Sequence, residues 1–436
     1  MQETAEPTMP IEVAANEPLP PDAEGCPGIF SQDILPSFEL TIDPAVMAVL
    51  YEDWVLGIER NALDEDDTPY RALAEFRYGD IAIKDAWIRL RGNPRFWLEQ
   101  NKMQFQVAFD RSNPDGRFMG LRKVLFDAAT FNRHFYRDRL SLYMLRRADD
   151  VLATDIPTPC ANNARVYING EYYGLFTSLE KVDDVFLRRA LPDDPDGDLW
   201  KRSRWELKTN LDTATDDRLQ ALVAAAESGD LITMEQYMDV GQMLSVAAMD
   251  AMIPNSDGFW AGGLNFYLYD DPSRGKFIVI PWDLDNSFAR LDSKVDPISF
   301  KKDVRFHGRP FYDTALADSN WYQFYVDTID QLVNEVYVHD DMWTLIGTDV
   351  SADDIVNPTE AELSVLGSWT RQIREAAVAD VNKPYTNELM ESRRANVARF
   401  INEREVFVRD VWLPCVRSGG SVDANDQCQP GGTPQP

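Results

Sequence analysis

Phe277-Ile278-Val279-Ile280 is an apolar run that ends on Pro281-Trp282 and then delivers Asp283-Leu284-Asp285-Asn286. Residues of high strand propensity behind the turn signal Arg274-Gly275 read as a buried strand. In an extended chain residues i and i+2 point to the same side, so Asp283 and Asp285 face one site while Leu284 turns into the core. Carboxylates that close repel unless a cation or a shared proton offsets the charge. Such hard oxygen ligands suit Mg²⁺, which takes one or two protein carboxylates and completes its shell with water or phosphate. Taken alone, the segment also reads as a loop whose Asp side chains cap the following turn.

The upstream residues favour a site. Asp257 lies in the turn-rich loop Pro254-Asn255-Ser256-Asp257-Gly258, directly after a helical run that ends at Ala251-Met252. Asn265 opens the alternating segment Phe266-Tyr267-Leu268-Tyr269. Helix, loop Asp, Asn, hairpin and strand-end Asp is the order of parts in a protein kinase. There the first Asp orients the substrate hydroxyl, the Asn holds metal and the last Asp bridges Mg²⁺ to phosphate. The step from Asp257 to Asn265 is eight residues, longer than in kinases, and Ala261-Gly262-Gly263 reads as a short insertion. Neither His-Arg-Asp nor Asp-Phe-Gly occurs.

Further pieces keep a consistent order: Arg89-Leu90-Arg91-Gly92-Asn93, the stretch from Val166 to Leu175, Leu179-Glu180-Lys181-Val182-Asp183, and Glu206-Leu207-Lys208-Thr209-Asn210. With the Asp257, Asn265 and Asp283-Leu284-Asp285 segments, they resemble the CotH family of spore-coat-protein-H-like atypical kinases. The resemblance spans residues from about 36 to 290. It implies an α+β, two-lobed, atypical protein-kinase-like fold, with a strand-rich N-terminal lobe and a helix-rich C-terminal lobe. It also implies transfer of the ATP γ-phosphate to Ser or Thr of a protein acceptor. On that reading Asp257 orients the nucleophile, and Asn265, Asp283 and Asp285 hold Mg²⁺ (or Mn²⁺ or Ca²⁺).

The phosphate binders are sought in the first half. Lys102, just before the strand Gln104–Phe109, is the candidate α/β-phosphate lysine. Arg89 and Arg91 share a strand face that ends in Gly92-Asn93, and guanidinium forks match phosphate oxygens. All three also read as solvated strand-edge charges. Around Glu180 the chain crosses from strands to helices, an interlobe hinge where a purine could lie or an ordinary connection. A kinase wants a helical Glu to pair its lysine. Residues 130–148, with Phe131, Phe135, Leu140, Tyr143, Met144 and Leu145 at helical spacing, offer only Asp138.

Composition narrows the remaining classes. The chain has 436 residues, 44% of them hydrophobic and 11% aromatic, enough for a large folded core. Its formal charge of −30 argues against nucleic acid and anionic lipid as partners. No run approaches a membrane span, and Met1-Gln2-Glu3-Thr4 does not open a signal peptide. Cys26, Cys160, Cys415 and Cys428 are widely spaced and form no metal pair. An even count in polar flanks points to disulfides and an exported, secreted or envelope protein, with three connectivities open. At least one bond is expected, Cys415–Cys428 tying down the tail or Cys26–Cys160 anchoring the N-terminal flank. His134, His307 and His339 are the only histidines, and none pairs at zinc-site spacing.

The expected organisation is a flexible acidic, Pro-rich flank (1–28), a strand-rich unit with one long helix (29–180), a helical unit (181–415) and a flexible tail (416–436). Helices are expected at 182–190, 215–226, 235–252, 320–337, 360–380 and 386–412. Two alternatives accompany the kinase reading: a catalytically silent scaffold of an extracellular assembly, and another metal-dependent nucleotide-using transferase.

Overall fold

A computed structural model describes residues 25–57, 68–92, 102–129, 133–202, 204–300 and 308–430. Most of the flank 1–28, Asn93, Phe131, His307 and the last six residues of the tail lie outside the described residues. The fold is mixed α+β.

Nine strands form one sheet: β1 (Ser37–Thr41), β2 (Arg71–Ala72), β3 (Glu75–Tyr78), β4 (Ile81–Ile83), β5 (Trp87–Leu90), β6 (Phe105–Ala108), β7 (Lys123–Asp127), β8 (Ala161–Ile168) and β9 (Glu171–Leu179). Their order is β2-β5-β6-β7-β9-β8-β1-β3-β4, antiparallel except for the parallel β1–β8 pair. The β8–β9 hairpin turns on Asn169 (φ 53) and Gly170 (φ 83), the left-handed pair that Asn-Gly favours. Strand alternation divides the buried side chains. Val124, Phe126 and Phe176 face one core, whereas Leu125, Leu175 and Leu179 face a second core shared with the helices. The sheet half and the helical half are therefore joined through common packing.

A smaller sheet in the order β11-β10-β12-β13 comprises β10 (Asp198–Lys201), β11 (Glu206–Leu207), β12 (Phe266–Asp271) and β13 (Lys276–Pro281). Where a polar cap intervenes, the helices depart from their expected bounds. Asp239 accepts the Gln242 amide and starts the helix Val240–Met252, so the expected 235–252 helix splits from Leu231–Tyr237. Extended backbone at Leu366 and Gly367, with no side-chain cap, divides 360–380 into Glu360–Val365 and Ser368–Ala379. The helix expected at 130–148 runs from Arg137 to Leu152, because Phe135 at φ 68 breaks the helical path before it. The strand-rich unit holds an additional helix, Pro44–Leu56, with Asp43 as its cap and Pro44 at its first turn.

Both named disulfides form, Cys26–Cys160 and Cys415–Cys428. The second shapes the start of the expected flexible tail: Ser421–Val422 pairs with Cys428–Gln429 in a short hairpin, turned by Asp423. No helix among the described residues is long and apolar enough to cross a membrane.

Candidate active site

Three segments meet where β13 ends. The first is the loop after the helix Val240–Met252. Asp250, buried near the end of that helix, accepts the Trp260 amide at 2.9 Å, and Asn255 Oδ1 accepts the Asp257 amide at 3.2 Å. Gly258 fits against this pair because it lacks a side chain. A Cβ there would lie 2.3 Å from Asp250 Oδ2 and 2.5 Å from Asn255 Nδ2. Burial raises the Asp250 carboxyl to about 7, against the pull of the Trp260 and Asn255 hydrogen bonds.

The second segment is Asn265, whose Nδ2 donates to Asp257 Oδ2 at 3.4 Å. The two residues that the sequence assigned to nucleophile and metal are thus in contact despite the eight-residue step. The third segment is 282–288. The Trp282 amide donates to Asn265 O at 3.2 Å, the Ser256 amide to Asn286 O at 3.1 Å and the Phe288 amide to Ile253 O at 2.9 Å. These bonds fasten the Asp257 loop, Asn265 and the carboxylate turn to one another. Asn265 (φ 49) and Asp283 (φ 58) occupy the left-handed region, a costly conformation that clusters at functional sites.

The carboxylates converge by a different route from the expected one. β13 stops at Pro281, so Asp283 and Asp285 lie on a turn rather than in extended chain. Leu284 is nevertheless buried, and the two carboxylates act on each other. Asp127, at the end of β7, and Asp138, in the first turn of the helix Arg137–Leu152, join them. Burial, then Asp127 and Asp283, hold Asp138 well above the ordinary carboxylate range, with Arg91 opposing. Burial, then Asp283, Asp138 and Asp127, do the same to Asp285, with Arg137 opposing. Asp127 was not singled out from the sequence, although Phe126-Asp127 repeats the strand-end pattern that marked Asp283. In the sequence Asp138 reads only as a partner for Lys102.

Of the phosphate candidates, Arg91 reaches the cluster, its Nη1 lying 2.6 Å from Asp127 Oδ2. Arg89 turns to the Tyr70 ring, 4.8 Å from its centroid, and to Gln106. Lys102 is a core residue rather than a solvated strand-edge charge. Its fully buried Nζ donates to Asp380 Oδ2 at 2.8 Å and to Leu175 O at 2.7 Å. Burial lowers its pKa, while Asp380 and, more weakly, Asp127 hold it up. Glu180 is bound bidentately by Arg189 at 2.7 and 2.9 Å and also accepts the Cys160 amide. Beside it, the Lys181 ammonium lies 5.6 Å from the ring centroid of Trp282, the residue that precedes Asp283 in the chain. His134 is buried, with Nδ1 accepting the Tyr136 amide at 3.4 Å; burial and neighbouring arginines hold it well below the ordinary range.

Asp138 and Asp285 each feel the charge of Asp127 and Asp283, and closely set carboxylates of this kind are the donor type that a divalent cation takes. Among the described residues no three His, Cys, Asp or Glu groups stand where they could hold a metal together. Any ion held here by protein side chains alone would have at most two of these carboxylates as ligands.

These carboxylates end strands and loops between a large sheet and a helical half, and sequence comparison shows the family to which the chain belongs. Residues 88–342, more than half of the chain, match the family described as CotH kinase protein, and the chain belongs to that family. It is 26% identical over 290 residues to the inner spore coat protein H of Bacillus subtilis (strain 168), spanning 60% of this chain and 71% of that protein.

Proposed function

We propose that the protein is an atypical kinase that transfers the ATP γ-phosphate to a Ser or Thr hydroxyl of a protein acceptor, with a divalent metal. The observation that carries this reading is the fastening of Asp257, Asn265 and the Asp283–Asp285 turn into one unit by backbone and side-chain hydrogen bonds. In this reading Asp257 orients the acceptor hydroxyl, and Asp283 and Asp285, beside Asn265, hold Mg²⁺ or Mn²⁺. The ion, when bound, neutralises charge on the β- and γ-phosphates. Arg91 and Arg137 bring positive charge to the same pocket and would face the nucleotide phosphates. On this reading the sheet half and the helical half are the two lobes of the kinase.

An Asp is a weak base at neutral pH, yet a loose transition state needs its acceptor positioned more than deprotonated. Asp257→Asn should leave ATP affinity within a few-fold and lower kcat by at least ~10²-fold, the range in which such groups act. Labelled γ-phosphate transfer that is equal in wild type and variant would reject the assignment. The spore-coat relative and the two disulfides support an exported protein acting on a coat or envelope assembly. A catalytically silent scaffold is the second reading. It is favoured by the commitment of Lys102 to Asp380 and of Glu180 to Arg189, and it predicts no nucleotide binding with any metal.

A further inference from the structure

The helix Arg137–Leu152 grips the carboxylate turn at three points within its first two turns. Asp138 Oδ1 accepts the Leu284 amide at 3.1 Å, Arg137 Nη1 donates to Asp285 O at 3.5 Å, and the Ser141 and Ser287 hydroxyls bond at 2.8 Å. Asp138, Ser141, Leu284 and Ser287 are all buried. Leu284 stands between the two aspartates, so whatever fixes its amide constrains the backbone that carries both. The preceding residue, Asp283, occupies the left-handed region, which persists only where surrounding contacts impose it.

We propose that Asp138 is a positioning residue for the metal-binding turn, acting through the Leu284 amide to set Asp283 and Asp285 at the site. This rests on the reading that those two aspartates hold the divalent cation. Ser141 and Arg137 complete the clamp, which ties the turn to the sheet half through the helix. A carboxylate pair held by a rigid element loses less order on taking up an ion than one on an unsupported turn.

The test uses the full, oxidised chain and two readouts: calorimetric titration with Mn²⁺ alone, and hydrogen–deuterium exchange of the segment 282–288. Asp138→Ala should weaken Mn²⁺ binding at least tenfold and raise exchange in that segment. Asp138→Asn keeps an oxygen for the Leu284 amide. It should restore protection and bring Mn²⁺ affinity to within about threefold of wild type.

Wild-type exchange and affinity in Asp138→Ala overturn the proposal. So does an Asp138→Asn variant that is protected yet binds Mn²⁺ as weakly as Asp138→Ala, because the charge rather than the hydrogen bond would then be what the ion needs. Should Asp138→Ala not fold, Ser141→Ala removes a second grip while leaving every carboxylate. Raised exchange at 286–288 with weaker Mn²⁺ binding supports the clamp, and no change in either overturns it. If wild type takes up no Mn²⁺, the metal reading fails, and the exchange comparison still judges the clamp by itself.

Discussion

Asp250 is buried beneath the Asp257 loop with its carboxyl raised to about 7 by desolvation. An unfolded Asp titrates near ~3.9, so between the two values the folded state holds a proton that the unfolded state has released. The contribution of this group to stability is complete below about pH 4, declines as pH rises through 7, and is flat above. Asp250→Asn keeps an acceptor for the Trp260 amide and cannot ionise. Urea unfolding from pH 5 to pH 8 should show wild type losing stability relative to the variant, by roughly 2–3 kcal/mol. A difference independent of pH would mean that Asp250 is not protonated in the fold. Asp257, Asn265, Asp283 and Asp285 were legible in the sequence because turn and strand signals surround each of them. Asp127 was not, since one Asp ending a strand is an ordinary feature until its neighbours are known. The buried partners of Lys102 and Glu180 were equally hidden, the Lys102–Asp380 pair being separated by 278 positions.

Elements were read well where periodicity is strong and least well where one capping residue decides a boundary. The strand expected at Gln104–Phe109 forms as β6, and β8 and β9 meet at Asn169-Gly170, because alternation and a left-handed turn pair are local signals. The Asp239 cap and the Phe135 break lie within otherwise helical patterns and leave only a single-residue trace. The same sensitivity applies to the loop that presents Asp257. Gly258→Ala would drive a methyl into Asp250 Oδ2, with Asn255 equally close, and both are buried. Overpacking of this kind costs about 1–3 kcal/mol. The expected variant is folded with a lower melting temperature, and on the proposed reading its phosphate transfer falls more than its ATP affinity, since the displaced loop carries Asp257. A melting temperature equal to that of wild type would show that the loop relaxes without resistance.

At the scale of the whole molecule, the family match ends at residue 342, yet the segment beyond it reaches back into the sheet half. Tyr172 Oη donates to Ala376 O at 2.8 Å, the Arg139 guanidinium lies 3.9 Å from the Trp369 ring centroid, and Asp380 takes Lys102. Asp380 also accepts the Leu175 amide on one oxygen and the Asn382 and Lys383 amides on the other. A fully buried ion pair satisfied in this way is weak evidence for stability gained, but removing one member strands the other. Lys102→Met leaves a carboxylate that still has three backbone donors, whereas Asp380→Ala leaves an ammonium with the Leu175 carbonyl and aromatic faces. Asp380→Ala should therefore be the worse single change, at about 3–5 kcal/mol, with Lys102→Met below it. The double variant should cost less than the sum of the two, with a coupling of at least ~2 kcal/mol in guanidinium unfolding. On the proposed reading Mg²⁺–ATP raises the melting temperature of wild type, and if the pair serves the fold a folded Lys102→Met variant keeps that rise. A folded Lys102→Met variant that has lost that rise, with little coupling to Asp380, would return Lys102 to the phosphate-binding role that its position before β6 first implied.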